Sequence, residues 1–440
     1  MILKDNSKYS STSSNIEEFL KLQNIANRKI SELLDEHGNN VFIYPHSLFE
    51  CEDDTGKHNL FSMQTTWSGE ACKKAILETG NIAGFISING LSLAIHSRFS
   101  QDDNEDFFLH YMLEKELGVN IVNLQHSISD GATFDFLIYL FPKFLNEALA
   151  QGLYKEYRKN EYNDSNLKGV IDMNRHVRLN MPFHGKIAYS TREFSYDNHV
   201  TELIRHTIEY ISKTKLGKAI LEKDAEMRSS VSIIMAATPK YSYRERERII
   251  NNNRRIVNHP YYSRYRALQK LCLRILRHER IKYGEKEDKI HGILFDVSYL
   301  WEEYLATILV KQGFLHPNNK KGIGRIYLAK RHKFQRYPDY YRKNDGVIID
   351  AKYKRAIDTR DDINQIITYL YRLKGKCGIF VQPTNYAFEE NHYELLGYGE
   401  ENSAQVQIFK YPIPQGINSY KDFNKEIKRS ELLLKDRVKH

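Results

Sequence analysis

The sequence predicts an α/β chain. A C-terminal mixed sheet flanked by helices follows a basic, mainly helical middle region and an α+β N-terminal domain. Three observations predict it. Pro338 to Tyr353 reads as a β-hairpin with an Asp-Gly turn. Strand, helix and strand follow one another from Val347 to Pro383, the order of a right-handed parallel crossover. Arginine and lysine crowd the segment Tyr241 to Lys282, where only Glu245, Glu247 and Glu279 oppose them.

Taken in order, Met1 to Ser14 is polar and Ser-rich, which predicts a loose tail and, without an apolar run, no signal peptide. Asn15 to Glu36 reads as one helix, its stripe carried by Ile16, Phe19, Leu20, Ile25, Ile30 and Leu33, with Gly38 as the stop. Gly84 to Ile88 and Leu91 to Phe99 alternate about Asn89-Gly90, a hairpin signal. Glu105 to Leu117 and Thr133 to Gln151 follow as helices. Gln151 to Ser165 turns polar, a boundary signal. Tyr189 to Tyr196 is β-rich, and Asp197 to Lys213 reads as a helix.

In the basic segment Tyr241, Tyr243, Tyr261, Tyr262 and Tyr265 are interleaved with the cations. That mixture suits phosphate contact with occasional stacking, and Arg254, Arg255, Arg264, Arg266 and Lys270 are the candidate DNA contacts. A solvated helical face, with Leu268, Leu271, Ile275 and Leu276 turned to a core, accounts for the same residues, and one helix can serve both ends. Val297 to Gln312 is a helix with Glu302 at the edge of its apolar stripe and Glu303 farther round. Asp361 to Lys374 is a helix carrying Gln365 and Tyr369, and Gly378 to Pro383 a buried strand. Beyond Gln415 the chain reads as a charged tail with a surface helix over Asp422 to Lys435. The expected segments are therefore 1–165, 166–289, 290–415 and 416–440.

The hairpin carries the chemistry. Folding Tyr340–Lys343 onto Val347–Tyr353 about a three-residue turn, Asn344-Asp345-Gly346, sets Asp339 opposite Asp350 or Ala351. Directly opposed side chains stand about 4.5–5.5 Å apart at Cβ. Two carboxylates so close repel unless a cation lies between them, and Mg²⁺ takes oxygen ligands of that kind. Period two puts Lys352 on the face of Asp350. An acid pair beside an ammonium is what metal-assisted phosphodiester hydrolysis needs. Asp/Glu-x-Lys also occurs as Glu287-Asp288-Lys289 and Glu426-Ile427-Lys428, but neither follows an apolar run.

Composition narrows the field. The formal net charge of +9 favours an anionic partner. No run is long and apolar enough to span a membrane. Cys51, Cys72, Cys272 and Cys377 are scattered, which fits reduced thiols in a bacterial-type cytoplasm and argues against zinc. A phosphate-loop motif of nucleoside triphosphatases is missing, so the chain is not expected to hydrolyse nucleotides itself; Gly322-Ile323-Gly324 is a weak lookalike.

Pro338-Asp339, with Asp350-Ala351-Lys352 placed eleven residues on, resembles the signature of the PD-(D/E)xK nuclease superfamily. Leu300-Trp-Glu-Glu-Tyr-Leu305, Asp350-Ala-Lys-Tyr353, Asn364 to Leu373 and Gly378 to Pro383 are similar to successive stretches of McrC, as are Lys168-Gly-Val-Ile-Asp172 and the helix from Asp197. The likeness spans roughly residues 168–385; residues 1–165 resemble the family loosely, at the LlaJI-type branch. It implies the nuclease subunit of a two-component restriction system. Its partners would be double-stranded DNA and an McrB-like AAA+ GTPase hexamer that binds GTP and receives the N-terminal portion. By position, Asp339 and Asp350 match the metal ligands, joined by the Ala351 carbonyl. Lys352 matches the catalytic lysine, Gln365 the supporting glutamine and Glu302 the first-helix acid. Mg²⁺ is the implied ion, with Mn²⁺ as a substitute. A stand-alone PD-(D/E)xK restriction endonuclease and a non-catalytic, motor-activating DNA-binding subunit are the alternatives, and an RNA-processing nuclease rests on charge alone.

Overall fold

A strand from the last third of the chain completes a sheet begun at its N-terminus. This is seen in a computed structural model that describes all residues except 13–14, 38–40, 50–58, 69–70, 89, 102–105, 118–129, 283–290, 318, 320–323, 397–403 and 440. The chain forms two units, Met1–Thr133 with Lys286–His440, and Phe134–Glu285. The first sequence decoy, Glu287 to Lys289, and residues Cys51, Asn89 and Gly322 lie outside the described residues.

The first unit opens with β1 (Ile2–Lys4), β2 (Lys8–Ser10), α1 (Ile16–Lys21), α2 (Ile30–His37), β3 (Val41–Tyr44), β4 (Phe61–Ser68), β5 (Ala71–Thr79), β6 (Ile82–Ile88), β7 (Leu91–His96) and α3 (Phe107–Leu117). The expected loose tail is instead two short strands: β1 lies parallel to β7 and β2 antiparallel to β5. Three polar-flanked residues are too few for periodicity to register. The expected single helix is two. Asn27 adopts φ +62° between them and its side chain exchanges hydrogen bonds with Met63, Nδ2 donating to the carbonyl at 2.9 Å and Oδ1 accepting from the amide at 3.0 Å. Asparagine tolerates the left-handed region, which turns the chain between the two helices. The β6–β7 hairpin forms as expected, Ile88 opposite Leu91.

The second unit holds α4 (Asp130–Leu149) from Phe134 onward, β8 (Glu156–Asp164), β9 (Val170–Ile171), α5 (Met173–Asn180), β10 (Ile187–Ser195), α6 (His199–Ile211), α7 (Lys215–Leu221), α8 (Ala225–Ala237), α9 (Arg246–Asn252) and α10 (Tyr265–Lys282). The polar stretch read as a boundary is β8, paired antiparallel with β10 along its whole length. One face of an antiparallel strand can be wet, and the half-buried face of this one is itself largely polar, so polarity concealed it. Asn198 caps α6 through a capping box, and Val200, Leu203, Ile204, Ile208 and Ile211 bury its other face.

The first unit resumes with β11 (His291–Asp296), α11 (Val297–Leu309), β12 (Ile326–Ala329), β13 (Lys333–Arg336), β14 (Tyr340–Arg342), β15 (Val347–Ala351), α12 (Asp361–Leu373), β16 (Cys377–Thr384), β17 (Glu389–Glu394), β18 (Gln405–Pro412) and α13 (Tyr420–Lys439). β11 enters the N-terminal sheet, giving the order β1-β7-β6-β11-β3. It runs parallel to β3 and antiparallel to β6. Gly84 makes this approach possible: a Cβ there would stand 2.3 Å from the Ile293 carbonyl. The four expected segments thus cut across a sheet that joins residues of the first to residues of the third.

A second five-stranded sheet has the order β14-β15-β16-β18-β17. Its three central strands are parallel, its two edges antiparallel. It is a mixed sheet with α12 packed on it through Ile366, Tyr369 and Leu370. The charged tail is also corrected. Phe423, Ile427, Leu434 and Val438 of α13 are buried, and Glu431 accepts from the Tyr111 hydroxyl at 2.7 Å. Among the described residues no helix is long and apolar enough to cross a membrane.

A candidate acidic centre at the end of the hairpin

The β14–β15 pair runs Tyr340 with Ile349, Tyr341 with Ile348 and Arg342 with Val347. The connection is four residues, one longer than expected, because Lys343 leaves the strand and Gly346, at φ +70°, donates back to Arg342. One step past the last pair, Asp339 comes level with Asp350. Its Oδ2 accepts from the Ala351 amide at 2.8 Å, which fixes the carboxylate against the opposing strand. Asp350 is 2% exposed and Asp339 9%.

Lys352 leaves the end of β15 with its amide bonded to the Val381 carbonyl at 3.0 Å. The Trp301 indole donates to the same carbonyl at 3.3 Å, tying α11 to the strand end. The Lys352 ammonium lies 2.8 Å from Asp350 Oδ2 and donates to Gln365 Oε1 at 2.6 Å. Gln365 is held in turn: its Nε2 donates to the Tyr369 hydroxyl at 2.8 Å, which donates to the Tyr337 carbonyl at 2.9 Å. The spacing of four puts Gln365 and Tyr369 on one face of α12. Burial works against the ammonium, but Asp350 and Asp339 outweigh it and raise its pKa above the ordinary lysine value.

Asp339 is pushed well above the usual carboxylate range by burial first, then by the charges of Glu302 and Asp350. Glu302, expected as the first-helix acid, is thereby placed within electrostatic reach of Asp339. Glu303 turns instead to His316, whose Nε2 lies 3.5 Å from it. His316 Nδ1 approaches the Asp339 carbonyl at 2.9 Å and its ring stacks on Tyr340 with centroids 4.7 Å apart. The Tyr340 hydroxyl donates to the Glu302 carbonyl.

Whether these residues suit a divalent cation can be judged from their donors. Among the described residues, no group of three or more His, Cys, Asp or Glu side chains gathers closely enough to hold an ion. Two buried carboxylates are nevertheless a hard oxygen set. Mg²⁺ characteristically uses one or two protein carboxylates and completes its shell with water and phosphate oxygens. Asp339 and Asp350 fit that pattern, and Lys352 is the cation beside them here.

Sequence reasoning missed Asp362. It is 4% exposed and bonds the Lys354 ammonium through both oxygens at 2.9 Å, with the Lys352 ammonium at 3.5 Å. Its position three residues before Gln365 on α12 was the available signal. The decoy Glu426-Ile427-Lys428 lies on α13 with Ile427 buried and Glu426 paired to Arg429.

The basic segment divides into two classes of cation. Arg264 pairs with Glu147 at 2.9 Å, Arg266 donates to Asn258 at 2.6 Å, and Arg246 donates to the Leu276 carbonyl at 3.0 Å. Burial lowers Arg274 to about 10. Arg254 and Arg255 stand exposed after α9, while Lys270 is half-buried on α10. Leu268, Leu271, Ile275 and Leu276 are buried, so α10 does turn an apolar face to a core.

A family model described as "McrBC 5-methylcytosine restriction system component" matches residues 77–381. None of the curated proteins compared with the chain matches it. Among solved structures, one similar chain belongs to a half-complex of a tetradecameric assembly of Thermococcus gammatolerans McrB AAA+ hexamers with bound McrC. It is 15% identical, with 99% of each chain covered and a TM-score of 0.41. A chain of the Thermococcus gammatolerans McrBC complex is 16% identical over 71% of this chain and 87% of its own, with a TM-score of 0.29.

Proposed function

The chain belongs to the McrBC family of 5-methylcytosine restriction system components, and we propose that it is the subunit that cuts. The proposed activity is Mg²⁺-dependent endonucleolytic hydrolysis of double-stranded DNA by a PD-(D/E)xK-type core. The observation that carries it is one ammonium, Lys352, held 2.8 Å from one of two facing buried carboxylates. A structural ion pair needs one acid; the second, with Glu302 in electrostatic reach, supports a place for a cation and an anionic substrate.

When bound, Mg²⁺ would polarise the scissile phosphate and lower the pKa of an attacking water. Asp339, Asp350 and the Ala351 carbonyl would hold it. Lys352, kept charged by its carboxylate neighbours, orients the water and offsets charge developing on the phosphoryl oxygens. Gln365 fixes the lysine rotamer, and Asp362 and Lys354 restrain its far side. Reading the segments as functional parts, residues 1–165 dock an McrB-like AAA+ GTPase hexamer, which binds the GTP, and Arg254, Arg255, Arg264, Arg266 and Lys270 lie along the DNA. Defence against foreign DNA in the cytoplasm is the setting this assigns.

The test is reconstitution with an McrB-like GTPase on modified and unmodified duplexes. GTP-dependent cleavage lost in Asp350→Ala and in Lys352→Ala is the expected result. Full activity in either variant rejects the assignment, and site-specific cleavage by the chain alone favours a stand-alone restriction enzyme.

A further inference from the structure

At the turn end of the same hairpin lies a groove of about 430 Å³ between the β14–β15 connection and the C-terminus of α12. Lys343, Lys374 and Lys376 line it with Arg372. The three lysines are exposed. Its only acid, Asp345, is consumed by Arg342, which reaches it at 2.5 and 2.8 Å, and that hydrogen bonding holds its carboxyl below the usual range. Arg342 is consumed too, donating to the carbonyls of Gln312 and Val438 at 3.0 and 2.8 Å. Asp345, held by Arg342, therefore does not balance the lysines. Three of the local backbone amides are also taken: Gly346 donates to Arg342, Gly375 to Leu370 and Lys376 to Gly346. What the groove offers a ligand is mainly positive charge, from the three ammonium groups and the Arg372 guanidinium.

We propose that this groove is a second, sequence-independent phosphate site for the backbone of the duplex, placed beyond the scissile position. The proposal rests on the DNA reading given above. Ammonium groups without directed amide donors suit phosphates as point charges rather than base edges. Position supports the duplex as the source. β15 connects the groove to the acidic centre, four residues separating Gly346 from Asp350, or about 13 Å at the usual strand rise. One DNA strand carries a charge per about 3.4 Å of axis. A duplex lying along the hairpin with its scissile phosphate at Asp350 would set a phosphate about four nucleotides away over the lysines.

The full-length chain is titrated with a duplex of about 25 base pairs in chelator, from about 50 to 200 mM salt, with fluorescence anisotropy as readout. The triple variant Lys343→Gln/Lys374→Gln/Lys376→Gln is compared with the parent. Each lost phosphate contact removes about 0.9 from the slope of log affinity against log salt, so the slope should become shallower by about 2–3. An unchanged slope overturns the proposal, as does a parent chain that binds no duplex. Inorganic tripolyphosphate is the second arm: if the triple variant loses it while the duplex slope stays, the groove takes free polyphosphate and the duplex assignment is wrong. Because binding is read without cleavage, a groove-dependent slope in a chain that never cuts sinks the nuclease reading and leaves the groove standing.

Discussion

The Lys352 ammonium donates to Gln365 Oε1 at 2.6 Å, so a residue on α12 fixes the position of a charge that leaves the end of β15. Removing the lysine should lower duplex cleavage by the assembled complex by about 10²–10³-fold, the range for a preorganised donor at a developing oxyanion. Gln365→Ala should cost about tenfold, because Asp350 still holds the ammonium. Single-turnover rates check both. A Gln365→Ala enzyme as fast as the parent would mean Asp350 alone positions the lysine.

Asp339 should govern cation binding. Saturating Mg²⁺ is expected to raise resistance to urea by about 1–3 kcal/mol through mass action on the folded state. Asp339→Asn should abolish that increment, and also raise the cation-free midpoint by relieving repulsion from Glu302 and Asp350. Urea titrations with and without Mg²⁺ measure both effects; an undiminished Mg²⁺ increment in the variant would remove Asp339 from the ligand set.

Arg98 and Asp5 form a buried pair, Nε to Oδ2 at 2.9 Å, with the guanidinium 4.8 Å from the Tyr353 ring centroid. Burial raises the Asp5 pKa and Arg98 opposes that rise. Arg98→Leu strands a buried carboxylate and should destabilise by about 3–5 kcal/mol. Replacing both partners with apolar residues should recover most of the loss. Denaturant midpoints of the two singles and the double decide it, and a double variant no better than Arg98→Leu contradicts the pairing.

His206 should make the chain acid-sensitive. Burial, reinforced by Arg246 and Arg205, lowers it to about 4. The folded state therefore binds this proton less readily than the unfolded chain, whose histidine titrates near about 6.5. Stability is retained above that value and lost as pH falls from about 6.5 toward 4, by about 2 kcal/mol at pH 5. His206→Gln should flatten this component between pH 7.5 and 5 in urea titrations. A slope that persists unchanged assigns it to other groups.

The acidic centre was readable because local rules converge there. An Asp-Gly turn, a β-branched run into Asp350 and a glutamine four residues before a tyrosine each report on one short stretch. The connection is one residue longer than expected, since Lys343 leaves the strand after Arg342, which is itself held by Asp345, Gln312 and Val438. Elements defined by distant partners were not readable. β8 is polar throughout, β1 is three residues long, and α13 hides Glu431 among lysines although the fold turns it onto Tyr111. Asp362 lies in the first turn of α12, where its spacing from Gln365 hints at the site, but its two lysine partners come from the end of β15 and the residues after it.

β11 has a consequence in time. The strand that fills the gap between β6 and β3 is synthesised roughly 200 residues after β7, a wait of roughly 10–40 s at about 5–20 residues per second. Until then the nascent chain carries two open strand edges, the kind that invites pairing with other chains. Ribosome-bound intermediates of this protein should accordingly be clients of chaperones, and slowing translation upstream of His291 should lower the soluble yield. The carboxylates at Asp339 and Asp350 leave the ribosome only after that gap can close, so the candidate acidic centre is synthesised after the sheet that this strand completes.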